Sequence, residues 1–357
     1  MLCRKEFEHG TLPFVLVKFA VERTVLNLPV GQDPVGGIWS LEASRDRWDW
    51  LGIEEKQYSG IDQRDVVVDE RTSAAITDFK SIVDVFQWRA QRQADELAYT
   101  TIDSRGREGK GLSWKKLDLK IAATAHYIQS RTAVKTGSSA ILMYTHSEDY
   151  VLAVHACLCL GIIGIPMQIL DPNRLSEDVP ALLQVIRDYK VQGILVNSDT
   201  EAALKGKTIS NHLKQSAQAA KITLPAIFNT SKPSKTSKGC KELGYVMKPA
   251  YLTATWPALV WTYWTPDQRR VAVELGHDTI LAMCKVQKET CQMGSSRPVI
   301  GCVRSSSGLG FIHTCLMGAY IGMFSDYVTE SRLNYLHPFS GRFCGKSIAF
   351  IASYTKV

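Results

Sequence analysis

The chain has 357 residues, 45% of them hydrophobic and 22% charged, with 42 Lys+Arg against 35 Asp+Glu and a net charge of +7. This composition excludes a disordered or fibrous protein and is enough for two or more globular units. The positive excess is scattered. Its densest patch, Lys232 to Lys241 in a Ser/Pro-rich stretch, has no interleaved aromatic residues and reads as a solvated loop, so no nucleic-acid partner is expected, while small anions such as nucleotides stay compatible.

Nine cysteines, most of them inside apolar runs such as VLAVHACLCLG, match the reduced thiols of a cytoplasmic protein and not a disulfide frame. No Cys-x-x-Cys pair is present, so no metal site is expected. The start, MLCRKEFEHGT, has no signal core, and no apolar run reaches the roughly 18 residues of a transmembrane segment.

Taken in order, residues 1–30 hold one predicted strand, Phe14–Phe19. Gly31 to Asp69 is charged, Trp-bearing and without a clear period, as a connector packed on a neighbouring unit would be. From Ser81 the pattern turns regular. Ser81-Ile-Val-Asp84 resembles a capping box with Asp in place of Glu, opening a helix through Val85, Phe86 and Trp88. Leu97–Ile102 is a predicted strand closed by the turn signal Asp103-Ser-Arg-Gly106. Ser113 then caps a helix with Leu117, Ile121, Ala125 and Ile128 on one face.

Strands and helices then alternate. The predicted strands are Ala140–Tyr144, Ile162–Pro166, Ile194–Asn197, Pro225–Phe228, Ala258–Trp264 and Pro298–Val303. The predicted helices open at Ser147 and at Ser176 and span Thr208–Ala220 and Asp278–Gln292, with Gly161 ending the first of them. Near-continuous apolar strands separated by helices imply a mostly parallel, doubly wound α/β sheet. Strand ends at Tyr144, Asn197, Trp264 and Val303 are expected on one rim, where such sheets bind ligands. Trp264 and Val303 on unrelated sheets would remove that reading. Residues 331–357 show little periodicity and read as an aberrant or truncated tail, leaving the domain incomplete at its C-terminus.

The stretch Ala258–Gln292 is the focus. It reads as an apolar strand, a polar turn Thr265–Arg270 and then an amphipathic helix, the arrangement in which unpaired helical amides hold phosphates. The turn has no glycine, and Pro266 has no amide hydrogen, so its backbone approaches a triphosphate poorly.

Four blocks in order, SIVDVFQWRAQRQADELAYT, YTHSEDYVLAVHACLCLGIIGIPM, ALVWTYWTPDQRRVAVELGHDTI and RPVIGCVRSSSGLGFIHTCLMGAYIG, resemble the fungal relatives of disco-interacting protein 2. The tandem modules of that family are similar to fatty acyl-AMP ligases of the adenylate-forming superfamily. The resemblance places residues 75–330 in the N-terminal part of an AMP-binding, acyl-AMP ligase-like domain, with residues 1–70 as the tail of a preceding module plus linker. It implies ATP and Mg as cofactors of the parent, a fatty acyl small molecule and neighbouring modules of the parent chain as partners, and a role in lipid and diacylglycerol metabolism. In the implied reaction a fatty carboxylate attacks the α-phosphate of ATP to give acyl-AMP and pyrophosphate.

Residue by residue, the family's phosphate loop Thr-Ser-Gly-Ser-Thr-Gly-x-Pro-Lys-Gly falls with its glycines at Thr265, Gln268 and Ala272 and its lysine at Val271, so all four are replaced. Thr265, Asp267, Gln268, Arg269, Arg270 and His277 are the degenerate equivalents. Arg269 and Arg270 either substitute as cations or are plain surface arginines. His277 stands where the family often has a histidine opening the next helix, as a catalytic group or a packing one. The second motif, His-Asp-Met-Gly-Leu, falls on Ser307, Gly308, Leu309, Gly310 and Phe311, without its histidine and acid. Two readings stay open: a ligase-related module whose ATP-binding motifs have degenerated, or a non-catalytic acyl-lipid-binding or structural module.

Overall fold

The structure is a computed structural model that describes Asp69, Met293, Ser306 and residues 75–76, 79–102, 111–145, 147–253, 256–264, 270–290, 299–301, 308–322, 325–328 and 349–351. The strand expected at Phe14–Phe19 and the connector before Asp69 lie outside the described residues.

Helix α1 (Ile82–Arg92) begins at Ser81, whose hydroxyl accepts from the Asp84 amide at 3.1 Å. The reciprocal half of a capping box does not form. Asp is one methylene shorter than Glu, and its carboxylate instead accepts from the Ser81 hydroxyl at 2.8 Å. Strand β1 (Leu97–Ile102) pairs antiparallel with the short β2 (Leu112–Ser113), and Ser113 caps α2 (Trp114–Arg131) through the Lys116 amide.

The strands β3 (Ser139–Met143), β4 (Ile163–Met167) and β5 (Gly193–Val196) are apolar along nearly their whole length, as strands covered on both faces must be. They pair in parallel, and β6 (Ala226–Asn229), β7 (Leu259–Trp264) and β8 (Arg270–Leu275) complete a sheet of order β6-β5-β3-β4-β7-β8. The period-two alternation of β3 divides its side chains between two cores. Ala140 and Leu142 join the core that holds α2 and α3 (Glu148–Leu160). Ile141 and Met143 join the one that holds α4 (Leu175–Asp188) and α6 (Lys207–Ala219). That is the doubly wound arrangement the alternation predicts.

Three local expectations change. Helix α4 begins at Leu175, one residue before Ser176, with Arg174 at the cap position. A short helix, α5 (Ser198–Lys205), adds to the predicted elements, and Asn197 caps it through the Thr200 amide at 3.0 Å. Ser147 begins α3, but its hydroxyl donates to the Thr145 carbonyl at 3.0 Å and does not cap. Gly161 ends α3 in the left-handed region, at φ 65, as expected.

Helix α7 (His277–Thr290) follows β8. Strand β9 (Val299–Gly301) precedes α8 (Gly308–Phe311), which runs through a π-helical stretch, Ile312–Met317, into α9 (Gly318–Ile321). β10 (Ser325–Val328) follows, and Ala349–Ile351, from the stretch read as aperiodic, adds β11. These strands form a second sheet, β11-β9-β10-β1-β2. The expected single rim is therefore corrected: β7, which ends at Trp264, and β9 lie on different sheets. They are not unrelated sheets, because one continuous core contains Tyr99 of the second sheet, Leu259 of the first and the 311–321 helix between them.

Candidate functional site

Five parallel strands carry their carboxyl ends to one edge of the six-stranded sheet, the place where open α/β sheets bind ligands. On the β3, β5 and β6 side that edge is braced by polar side chains. The Tyr144 hydroxyl bonds the Thr230 hydroxyl at 2.7 Å, and Asn197 donates to the Thr145 hydroxyl. Ser231 donates to Asp149 at 2.7 Å, and its oxygen also accepts from the Ser198 amide at 3.0 Å. These bonds fasten the loops after three strands to one another and to the start of α3.

The β7 side carries the degenerate phosphate-loop equivalents. Thr265, Asp267, Gln268 and Arg269 lie outside the described residues, as does Ser307. Their setting is nevertheless defined, and it corrects the expectation. The turn does not open a helix; it joins β7 to β8 as an antiparallel hairpin, with Trp264 opposite Arg270 and Tyr263 opposite Val271. The six residues RVAVEL alternate β-branched with other side chains before Gly276, which is a strand signal. Arg270 is thus the first residue of a strand, and no helix dipole backs the turn.

His277 begins α7 two residues after that hairpin. Its side chain is buried, Nδ1 has no partner, and burial lowers its pKa to about 4 even though Asp278 pulls the other way. At neutral pH it is an uncharged imidazole and supplies no cation to a phosphate.

The described part of the second-motif equivalent begins near the end of β7. A Cβ on Gly308 would stand 4.0 Å from the Tyr263 hydroxyl, so the start of α8 faces the end of β7 across the join between the two sheets. Leu309 and Gly310 continue α8, with Gly310 buried. Tyr263, which sequence reasoning passed over, is the β7 residue that Gly308 approaches, and burial raises the pKa of its phenol.

Beneath the rim the wall is aromatic. Phe311 meets Trp261 edge-on at 5.8 Å and Tyr150 at 6.1 Å, and Tyr150 lies 5.6 Å from Tyr144. Burial holds both tyrosines protonated. Behind Phe311, the carbonyl of Cys315 in the π-helical stretch accepts from His155 Nε2 at 2.8 Å and from the Tyr99 hydroxyl at 3.4 Å. His313, in the same stretch, is fully buried with neither ring nitrogen hydrogen-bonded. Neither histidine carries a sequence signal, since both sit inside apolar runs.

No known protein-family profile matches the chain. The solved structures it resembles include complexes with acyl adenylates. The fatty acyl-adenylate ligase of L. pneumophila, in complex with acyl adenylate and pyrophosphate, matches 73% of this chain and 42% of that one, with a TM-score of 0.57 at 17% identity. An adenylation domain of a keto acid-selecting NRPS module matches 73% of this chain and 45% of its own, with a TM-score of 0.58 at 13% identity. The fold is therefore the adenylate-forming, acyl-AMP ligase-like one. An uncharacterised protein of Schizosaccharomyces pombe is 51% identical over 322 residues, 90% of this chain and 21% of that protein. The homeostatic regulator of DAG of Saccharomyces cerevisiae is 28% identical over 74% of this chain and 17% of its own length. Disco-interacting protein 2 of Drosophila melanogaster is 25% identical over 68% of this chain and 13% of its own. The chain is thus a relative of the disco-interacting protein 2 proteins, and it spans about a fifth or less of the length of those it matches.

Proposed function

We propose that residues 75–330 are the N-terminal part of an acyl-AMP ligase-like module in a longer protein of lipid and diacylglycerol metabolism, and that this longer protein activates fatty carboxylates as acyl-adenylates with ATP and Mg. The observation that carries the reading is the approach of Gly308 to Tyr263, which sets the second-motif equivalent against the strand leading into the phosphate-loop equivalent. A buried aromatic cluster of Tyr144, Tyr150, Phe311 and Trp261 includes residues close in the chain to Gly308 and Tyr263 and makes the surroundings of that approach apolar. In-line displacement at a phosphate needs charge stabilisation on the oxygens, and the cations available at this turn are Arg269 and Arg270. ATP–pyrophosphate exchange by the full-length parent tests this. The Arg269→Ala/Arg270→Ala double variant is expected to lower exchange at least tenfold, and unchanged exchange would remove both arginines from the mechanism.

A second reading has its own support: this module binds an acyl lipid without adenylating it, and the parent's ligase chemistry lies in another module. It is favoured by the neutral, buried state of His277 and by the replacement of the loop's glycines and lysine at Thr265, Gln268, Ala272 and Val271. Calorimetry on the intact module separates the two readings. Magnesium-dependent micromolar ATP binding supports the first, and fatty-acid binding without ATP binding supports the second.

A further inference from the structure

The lysine-bearing stretch 231–248 holds five lysines and one acid, Glu242. It is fastened along the outer face of α2 at two places. At the first, the Cys240 amide donates to Asp118 at 3.2 Å and its thiol to the Asp118 carbonyl at 3.7 Å. At the second, eleven residues and roughly 16 Å further along the helix, the Tyr245 hydroxyl donates to Gln129 at 3.2 Å, while its carbonyl accepts from Gln87 of α1 at 2.6 Å. Cys240, Tyr245 and Met247 are buried, so the lysines between them are presented from a fixed backbone.

Lys235, Lys238, Lys241 and Lys248 are exposed there, and Lys115 and Lys116 are exposed at the start of the same helix. Among the described residues none of the six forms an ion pair. The large apolar side chains exposed among the described residues are Val246, 38% exposed, and Leu97, 42% exposed. Val246 lies within the lysine stretch. Leu97 pairs with Ser113, the residue that caps α2 beside Lys115 and Lys116. Charge and the exposed Val246 side chain therefore lie together on the stretch fastened along α2, with Lys115 one turn before Asp118 on the same side of the helix.

We propose that this strip is a docking surface for an anionic lipid bilayer. Unpaired lysines are drawn to the negative surface potential of such a membrane, and apolar side chains among them enter the headgroup region, which adds the second signal a stable contact needs. A single-stranded nucleic acid fits less well. Its bases stack on exposed aromatic rings, and the aromatic residue of this strip, Tyr245, is buried against α2.

The test is co-sedimentation of the full chain with vesicles of phosphatidylcholine alone or with about one third phosphatidylserine, the anionic fraction giving the negative surface potential. The chain is expected to pellet with the second kind and not the first, and to be released by raised salt. Lys235→Glu/Lys238→Glu/Lys241→Glu should weaken binding at least tenfold. The charge-matched set Lys207→Glu/Lys214→Glu/Lys221→Glu, on the exposed side of α6 and just beyond it, should retain most of it. Val246→Asp should weaken binding several-fold. Equal loss in the two lysine sets, no binding to phosphatidylserine vesicles, or displacement of the vesicles by a single-stranded RNA that needs the same lysines would each overturn the proposal.

Discussion

Arg89 is fully buried, and its guanidinium is held by hydrogen bonds on all three nitrogens. Nε donates to the Ala319 carbonyl at 2.5 Å, Nη2 to the Tyr320 carbonyl and to Asp69 at 2.7 Å each, and Nη1 to Gln93 at 2.7 Å. It thereby bonds two carbonyls at the end of α9 and neutralises a buried carboxylate from ahead of α1. Gly322 lies beside it at φ 75, and a Cβ there would overlap the guanidinium. Arg89→Met should therefore lower stability by about 3–5 kcal/mol, because it removes one member of a buried ion pair together with its bonds to two helix-end carbonyls. Urea denaturation followed by fluorescence checks this, and a loss below about 1 kcal/mol would mean that water replaces the guanidinium. Nothing in the sequence points to Arg89, since apart from Gln93 the partners named here lie 20 residues upstream and 230 or 231 downstream.

At the scale of the element, two serines with the same sequence signal behave differently. Both Ser81 and Ser147 stand at the cap position, but only Ser81 accepts from the amide three residues on. Ser147 is turned toward the β3 loop by the Thr145 carbonyl. Ser81→Ala is expected to reduce stability by about 1 kcal/mol and Ser147→Ala by less than half as much, measured as shifts in thermal midpoint. Cap position was legible from hydroxyl spacing, whereas cap function depends on what the loop brings near the hydroxyl. The β7–β8 hairpin shows the same limit. Its second strand, RVAVEL, carries a period-two pattern, but the absence of the glycines that mark a two-residue turn hid the reversal.

At the scale of the whole molecule, three histidines among the described residues are sealed in the interior. His155, His277 and His313 are each held by burial at a pKa of about 4, against an ordinary value of 6.5. A lowered imidazole pKa means that the unfolded chain binds protons the folded chain refuses between those two values. Stability is therefore fully present above about pH 6.5 and is lost as pH falls toward about 4, each histidine contributing on the order of 3 kcal/mol. The urea midpoint should fall steeply between pH 7 and pH 5. His313→Phe, which removes two buried nitrogens without hydrogen bonds, should flatten that fall. A midpoint that stays level over this range would show that these imidazoles take up protons in the folded state.

The sequence by itself determined the alternation of helices and strands, the parallel character of the central sheet and the relationship to acyl-AMP ligase-like proteins. Those features rest on local periodicity and on blocks of residues contiguous in the chain. Only the tertiary structure decided that β9 belongs to a second sheet, that Tyr263 meets Gly308, that His277 is neutral, and that Arg89 joins Asp69 to the end of α9. Each of these depends on which segments exclude water together. A pattern of side chains along one segment specifies that a face is buried, and the partner that buries it is selected only when the whole chain packs.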